Sequence, residues 1–72
     1  MNLITLNDCY ELRKRFDDYC NNAEQYEFPL LLKIDLKFQA TVKHYEDVGT
    51  VDNQDEAEAM FRVVSKVMGI EP

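Results

Sequence analysis

Leu30-Leu31-Leu32-Lys33-Ile34-Asp35-Leu36-Lys37-Phe38-Gln39-Ala40-Thr41-Val42-Lys43 is the stretch on which the reading of this chain turns. Leu30, Leu32, Ile34, Leu36, Phe38, Ala40 and Val42 share one parity. Lys33, Asp35, Lys37, Gln39, Thr41 and Lys43 occupy the other. Alternation of this kind is the signature of a sheet with one buried and one wet face. It predicts a β segment over residues 29–45. Extended from 30 to 44, that segment would run roughly 50 Å at ~3.3 Å per residue, longer than ordinary strands. No Gly, Pro or Asn interrupts it. A two-residue hairpin would reverse the parity, and the parity holds throughout. Two solutions follow: a three-residue or bulged turn within 35–39, or one long bent strand that pairs in part with another chain. A further turn is expected at 46–49, where Gly49 is free to take positive φ, with a short third strand over 49–51.

On either side the period changes to that of a helix. Thr5 and Asp8 form a capping box, with Ile4 and Cys9 placed for a hydrophobic staple. Cys9, Leu12, Phe16, Tyr19 and Ala23 then recur at alternating spacings of three and four, on one face of a helix over about residues 6–22. Glu11 with Arg15, Arg13 with Asp17 and Lys14 with Asp18 are i,i+4 ion pairs on the opposite face. Asn21 and Asn22 close this helix. The second predicted helix covers about residues 53–68. Asn53 and Glu56 make its capping box, and Ala57, Met60, Phe61, Val64, Val67 and Met68 its apolar face. Gly69 stands at the left-handed C-terminal position and Pro72 follows. The fold these elements predict is α+β: one two-layer α-β-β-α domain over 1–72, with a small antiparallel sheet covered on one face by two helices.

Length and charge narrow the function. A 72-residue chain buries only about 60% of its unfolded surface, so a partner or a second copy is expected to add stability. An over-long strand with a free edge points the same way, to a homodimer. The net charge is −6, which repels nucleic-acid phosphates unless a local basic patch intervenes. The start of the chain carries no basic targeting segment, and no apolar run reaches the ~18 residues of a membrane span. The expected location is the cytoplasm, with no membrane contact. Cys9 and Cys20 lie roughly 16 Å apart along one helix at ~1.5 Å per residue, too far for a disulfide. They are expected to be free thiols in a reducing compartment.

The residues for catalysis are missing. His44 is the lone histidine and Ser65 the lone serine, and two glycines cannot build a phosphate cradle. His44 is read as a rim or buried member of the apolar series. The aspartates Asp52 and Asp55 lack the spacing of a calcium loop. No enzyme, cofactor or metal is expected. What stands out is an acidic segment: Glu46, Asp47, Asp52, Asp55, Glu56 and Glu58, with no Lys or Arg among them. It predicts a contact for a protein with a basic surface. The reading is a small non-catalytic protein-binding module. An inhibitor or regulator of a larger nucleic-acid-handling machine, of the kind encoded by phages and mobile elements, is an analogy of size and charge. The alternative is a nucleic-acid-associated regulator using Arg13, Lys14 and Arg15 with Lys33, Lys37 and Lys43 on the wet sheet face.

Overall fold

The computed structural model describes residues 3–70, so the expectation placed on Pro72 lies outside the described residues. Three helices make up the chain: α1 (Leu6–Asn21), α2 (Phe28–Val48) and α3 (Gln54–Val67). Short 3-10 turns at Gln25–Glu27 and Val51–Asn53 join them. No strand occurs among the described residues. The predicted α+β sandwich is therefore corrected to an up-down-up three-helix bundle.

The correction lies in residues 29–45, which belong to α2, and in 46–51: α2 continues to Val48, and the expected third strand over 49–51 is instead the cap of α2 and the start of a 3-10 turn. Beneath the alternation a second period runs through the same sequence. Leu31, Phe38 and Tyr45 are buried at seven-residue intervals, with Ile34 and Val42 half-buried between them. This is one face of a helix. Propensity agrees with it: nine of the fifteen residues 30–44 are Leu, Lys, Gln or Ala, and three are β-branched. Pro29 sits in the first turn, where its fixed φ suits helix initiation and its missing N–H costs nothing. Dimensions also exclude the single long strand, since the longest extent of the molecule is 36 Å. Gly49 does take positive φ, +82°, but as the cap of α2, its N–H donating to the Tyr45 carbonyl at 2.7 Å.

The outer helices follow the sequence more closely. Thr5 and Asp8 close the capping box, Asp8 N–H donating to Thr5 Oγ1 at 3.2 Å and Thr5 N–H to Asp8 Oδ2 at 2.8 Å. Ile4 packs on the cluster that contains Cys9, as a staple requires. Asn22 caps the end of α1. Gly69 has φ +72°, and the Ile70 N–H returns to the Ser65 carbonyl at 3.1 Å. The capping box predicted for α3 does not form. Asn53 makes no side-chain cap there and donates instead to the Gly49 carbonyl at 3.0 Å.

Two linked clusters fill the interior. Leu12, Phe16, Leu31, Phe38 and Val64 form the larger, in which the Phe16 and Phe38 rings lie 6.1 Å apart. Cys9, Tyr45 and Ala57 form the smaller, at the end where α2 turns into α3. All three helices contribute to both. At that same end the Gln54 amide ties down the chain ahead of α1. It accepts from Ile4 N–H at 2.8 Å and donates to the Ile4 and Thr50 carbonyls, each at 2.8 Å. Thr50 Oγ1 adds a bond to the Ile4 carbonyl at 2.8 Å.

Candidate functional site

The six acidic residues all fall at the end of the bundle formed by the close of α2 and the start of α3. The helices turn them in different directions. Glu46 is engaged by α1, accepting from Tyr10 Oη at 2.8 Å. That bond stabilises the neutral phenol and raises the Tyr10 pKa, with smaller upward pushes from burial and from the Glu46 charge. Asp47 and Asp52 are exposed beside the turn. Asp55 and Glu58, three apart, share an exposed flank of α3. Glu56 lies on the other flank, lining a cavity of about 340 Å³ between α2 and α3 with Lys37, Phe38 and Met60.

The basic residues are dispersed too. Arg13 is folded inward: Nη2 meets Asp35 Oδ1 at 2.7 Å, Nε meets Asp17 Oδ1 at 3.2 Å, and the guanidinium lies 5.7 Å from the Phe38 ring centroid. These are the two salt bridges among the described residues, so the predicted pairs Glu11–Arg15 and Lys14–Asp18 stay open. With no sheet among the described residues, the expected wet sheet face does not form. Lys33 and Lys37, four apart, share a ridge of α2, and Lys43 lies on a different flank. His44, expected at the rim or buried, is exposed.

No three His, Cys, Asp or Glu side chains converge as a metal site among the described residues. Cys9 is buried and Cys20 partly so, and both are free. Burial is the chief cause that raises both thiol pKa values, helped by Asp8 at Cys9 and by Asp35 and Asp17 at Cys20. Tyr45 is buried with its hydroxyl unpartnered, and burial pushes its pKa up, followed by the nearby Glu56 charge. No helix among the described residues is long and apolar enough to cross a membrane.

Large apolar side chains are exposed on and around α2, among them Leu30, Leu32 and Leu36, which the alternation places on a buried sheet face. Leu30 (56% exposed), Leu32 (60%), Leu36 (59%) and Phe28 (47%) all face outward, and Tyr26 just before them is 82% exposed. Scattered apolar residues are normal on any surface, whereas several in one segment mark a contact. Phe28, Leu32 and Leu36 follow one another at four-residue steps, so they form a ridge along the helix. Phe28 and Leu32 border an open depression of about 960 Å³ between α1 and α2, lined also by Arg13 and Asp17 of α1 and Asp35 of α2. A helical wheel of residues 28–48 would have exposed this ridge once Leu31, Phe38 and Tyr45 were taken as the buried line. Compared with family descriptions, with curated proteins and with solved structures, the chain has no significant match to any.

Proposed function

We propose that this chain is a non-catalytic protein-binding module, a regulator or inhibitor that acts by occupying the surface of a larger protein. The exposed apolar ridge of α2 carries the reading: a helix that presents apolar side chains beyond its buried face is built for more neighbours than two. The test is co-purification from the native cell, comparing the wild-type chain with the double variant Leu32→Glu, Leu36→Glu. Both positions are exposed, so the variant should keep its helical circular-dichroism signal. A specific protein recovered with the wild type and lost with the folded variant is the expected result. The same proteins recovered by both would remove the ridge as the contact.

A second contact is supported by Asp55 and Glu58, which lie side by side on α3 with no salt-bridge partner among the described residues. They suit a basic surface. Asp55→Lys with Glu58→Lys should then weaken the complex by about tenfold or more, since reversal adds repulsion to lost attraction. Unchanged affinity in the folded variant would eliminate this contact. The expectation of a homodimer rested in part on an edge strand. With no strand among the described residues, that motive no longer applies.

A further inference from the structure

We propose that residues 30–42 hold a second structure in reserve: when the bundle opens, copies of this chain pair through that segment as antiparallel strands. The folded chain stays helical throughout α2, and the inference is independent of the protein-binding reading.

Two apolar patterns share these residues. The bundle buries Leu31 and Phe38, with Ile34 and Val42 half-buried. A strand would instead bury Leu30, Leu32, Ile34, Leu36, Phe38, Ala40 and Val42 on one face. Leu30, Leu32, Leu36 and Ala40 make the difference, and all four are exposed on the helix. Nothing local forbids the strand. Residues 30–42 contain no Gly or Pro, and Lys33 and Lys37 against Asp35 leave them a net charge of +1 in a chain of −6. An apolar, weakly charged, Pro-free segment drives cross-β assembly when an unfolded chain exposes it. Its ends are guarded. Pro29 has no N–H to donate to a ladder, and Glu46 and Asp47 place charge beyond the other end.

Energetics set the condition. Helix propensity favours α2 within a single chain, and packing on α1 and α3 supplies most of the stability of such a helix. Once both neighbours leave, that packing is lost and the apolar residues of α2 are wet. Pairing with another copy satisfies the backbone in a ladder and offers cover to four side chains that the bundle leaves exposed. The strand therefore needs both an opened bundle and a second copy, so conversion should grow with concentration.

Charge sets the register. Antiparallel strands that cross at Leu36 place Asp35 of each copy opposite Lys37 of the other, with Leu32 opposite Ala40 and Ile34 opposite Phe38. Parallel in-register stacking would put Lys33 on Lys33 and Lys37 on Lys37, which repels.

The full chain is held at its melting midpoint, at micromolar to millimolar concentration, and followed by thioflavin T fluorescence and amide I infrared spectroscopy. A fluorescence rise that steepens with concentration, and the split infrared band of antiparallel strands, are expected. Protease digestion of the product with mass spectrometry should recover a protected core that covers residues 30–42. Leu32→Glu, Leu36→Glu should abolish the rise at its own midpoint; both positions are exposed in the bundle. Lys33→Gln, Gln39→Glu is the control. It changes the net charge equally, at exposed positions of the same helix but on the other parity, and should still convert. Circular dichroism before heating checks that both variants fold. No β signal from the wild type, a parallel band, a core in α1 or α3, or conversion by the leucine variant overturns the proposal. So does a control that fails to convert, because charge alone would then account for the loss.

Discussion

Gln39→Pro separates the helical reading of residues 28–48 from the sheet reading more sharply than any other single change. Gln39 is exposed, so its side chain contributes little packing; its bond to Asp35 Oδ2 at 2.9 Å is also exposed. The cost arises in the backbone. In an α-helix interior, proline removes the N–H bond to the carbonyl four residues back, and its ring collides with that carbonyl, for ~3 kcal/mol or more. The residue before proline is also driven out of the helical region. Here that residue is Phe38, buried between α1 and α3 and stacked near Phe16 and Arg13. A domain of 72 residues has roughly 4–11 kcal/mol of total stability. A loss of ~3 kcal/mol should lower the melting temperature by about 12–24 °C, or unfold the chain outright. Gln39→Ala, the control, should stay within about 0.5 kcal/mol of wild type. Urea unfolding followed by far-ultraviolet circular dichroism reads both. In a hairpin, Gln39 would sit in the turn at 35–39, where proline can be tolerated. A Gln39→Pro protein that keeps its signal and loses less than about 1 kcal/mol would refute a continuous α2.

Three further outcomes follow from individual contacts. Tyr45→Phe should be neutral or stabilising by up to about 1 kcal/mol in urea unfolding, because it removes a buried hydroxyl that has no partner; a clear loss would mean that Glu56 or another group satisfies it. Gln54→Ala should cost about 1–3 kcal/mol, because it cuts the three bonds of the Gln54 amide, two to the Ile4 backbone and one to the Thr50 carbonyl, and leaves only the Thr50 hydroxyl on Ile4; a change below about 0.5 kcal/mol would show that this clamp contributes nothing. Cys20 should alkylate before Cys9 in the folded protein, and both more slowly than after unfolding, since burial raises both thiol pKa values and Cys9 is fully enclosed; mass spectrometry of iodoacetamide-treated protein at mildly alkaline pH resolves the order, and a Cys9–Cys20 disulfide would contradict α1.

The outer helices were legible because local rules and tertiary packing agree in them. Thr5, Asp8 and the line Cys9, Leu12, Phe16 place α1 almost to the residue, and Ala57 with Val64 place the buried face of α3. The α3 cap was misread for a local reason. Asn53 lies in a 3-10 turn, so its side chain reaches back to the Gly49 carbonyl rather than forward into the helix. The polar clamp at Gln54 spans fifty positions in sequence, and no short-range signal marks it. Arg13 was half legible. Its pairing with Asp17 follows from spacing, whereas its shorter bond to Asp35 and its place over Phe38 require α2 to run alongside as a helix.

The error in residues 29–45 and the candidate site have a single cause. The alternation depends on Leu30, Leu32, Leu36 and Ala40, and all four are exposed. Without them the apolar set is Leu31, Ile34, Phe38, Val42 and Tyr45, a plain helical repeat matched to the faces of α1 and α3. The residues that imitate a strand are therefore the ones the bundle does not use. Stability of the isolated bundle gives no reason for three exposed leucines within seven residues, because polar residues of similar helix propensity would serve there and improve solubility. A helix that is apolar around most of its circumference fits a position with neighbours on more than two sides. Two of those neighbours, α1 and α3, are supplied by this chain, and the uncovered side, with Phe28, Leu32 and Leu36, is the surface on which the proposed protein contact depends.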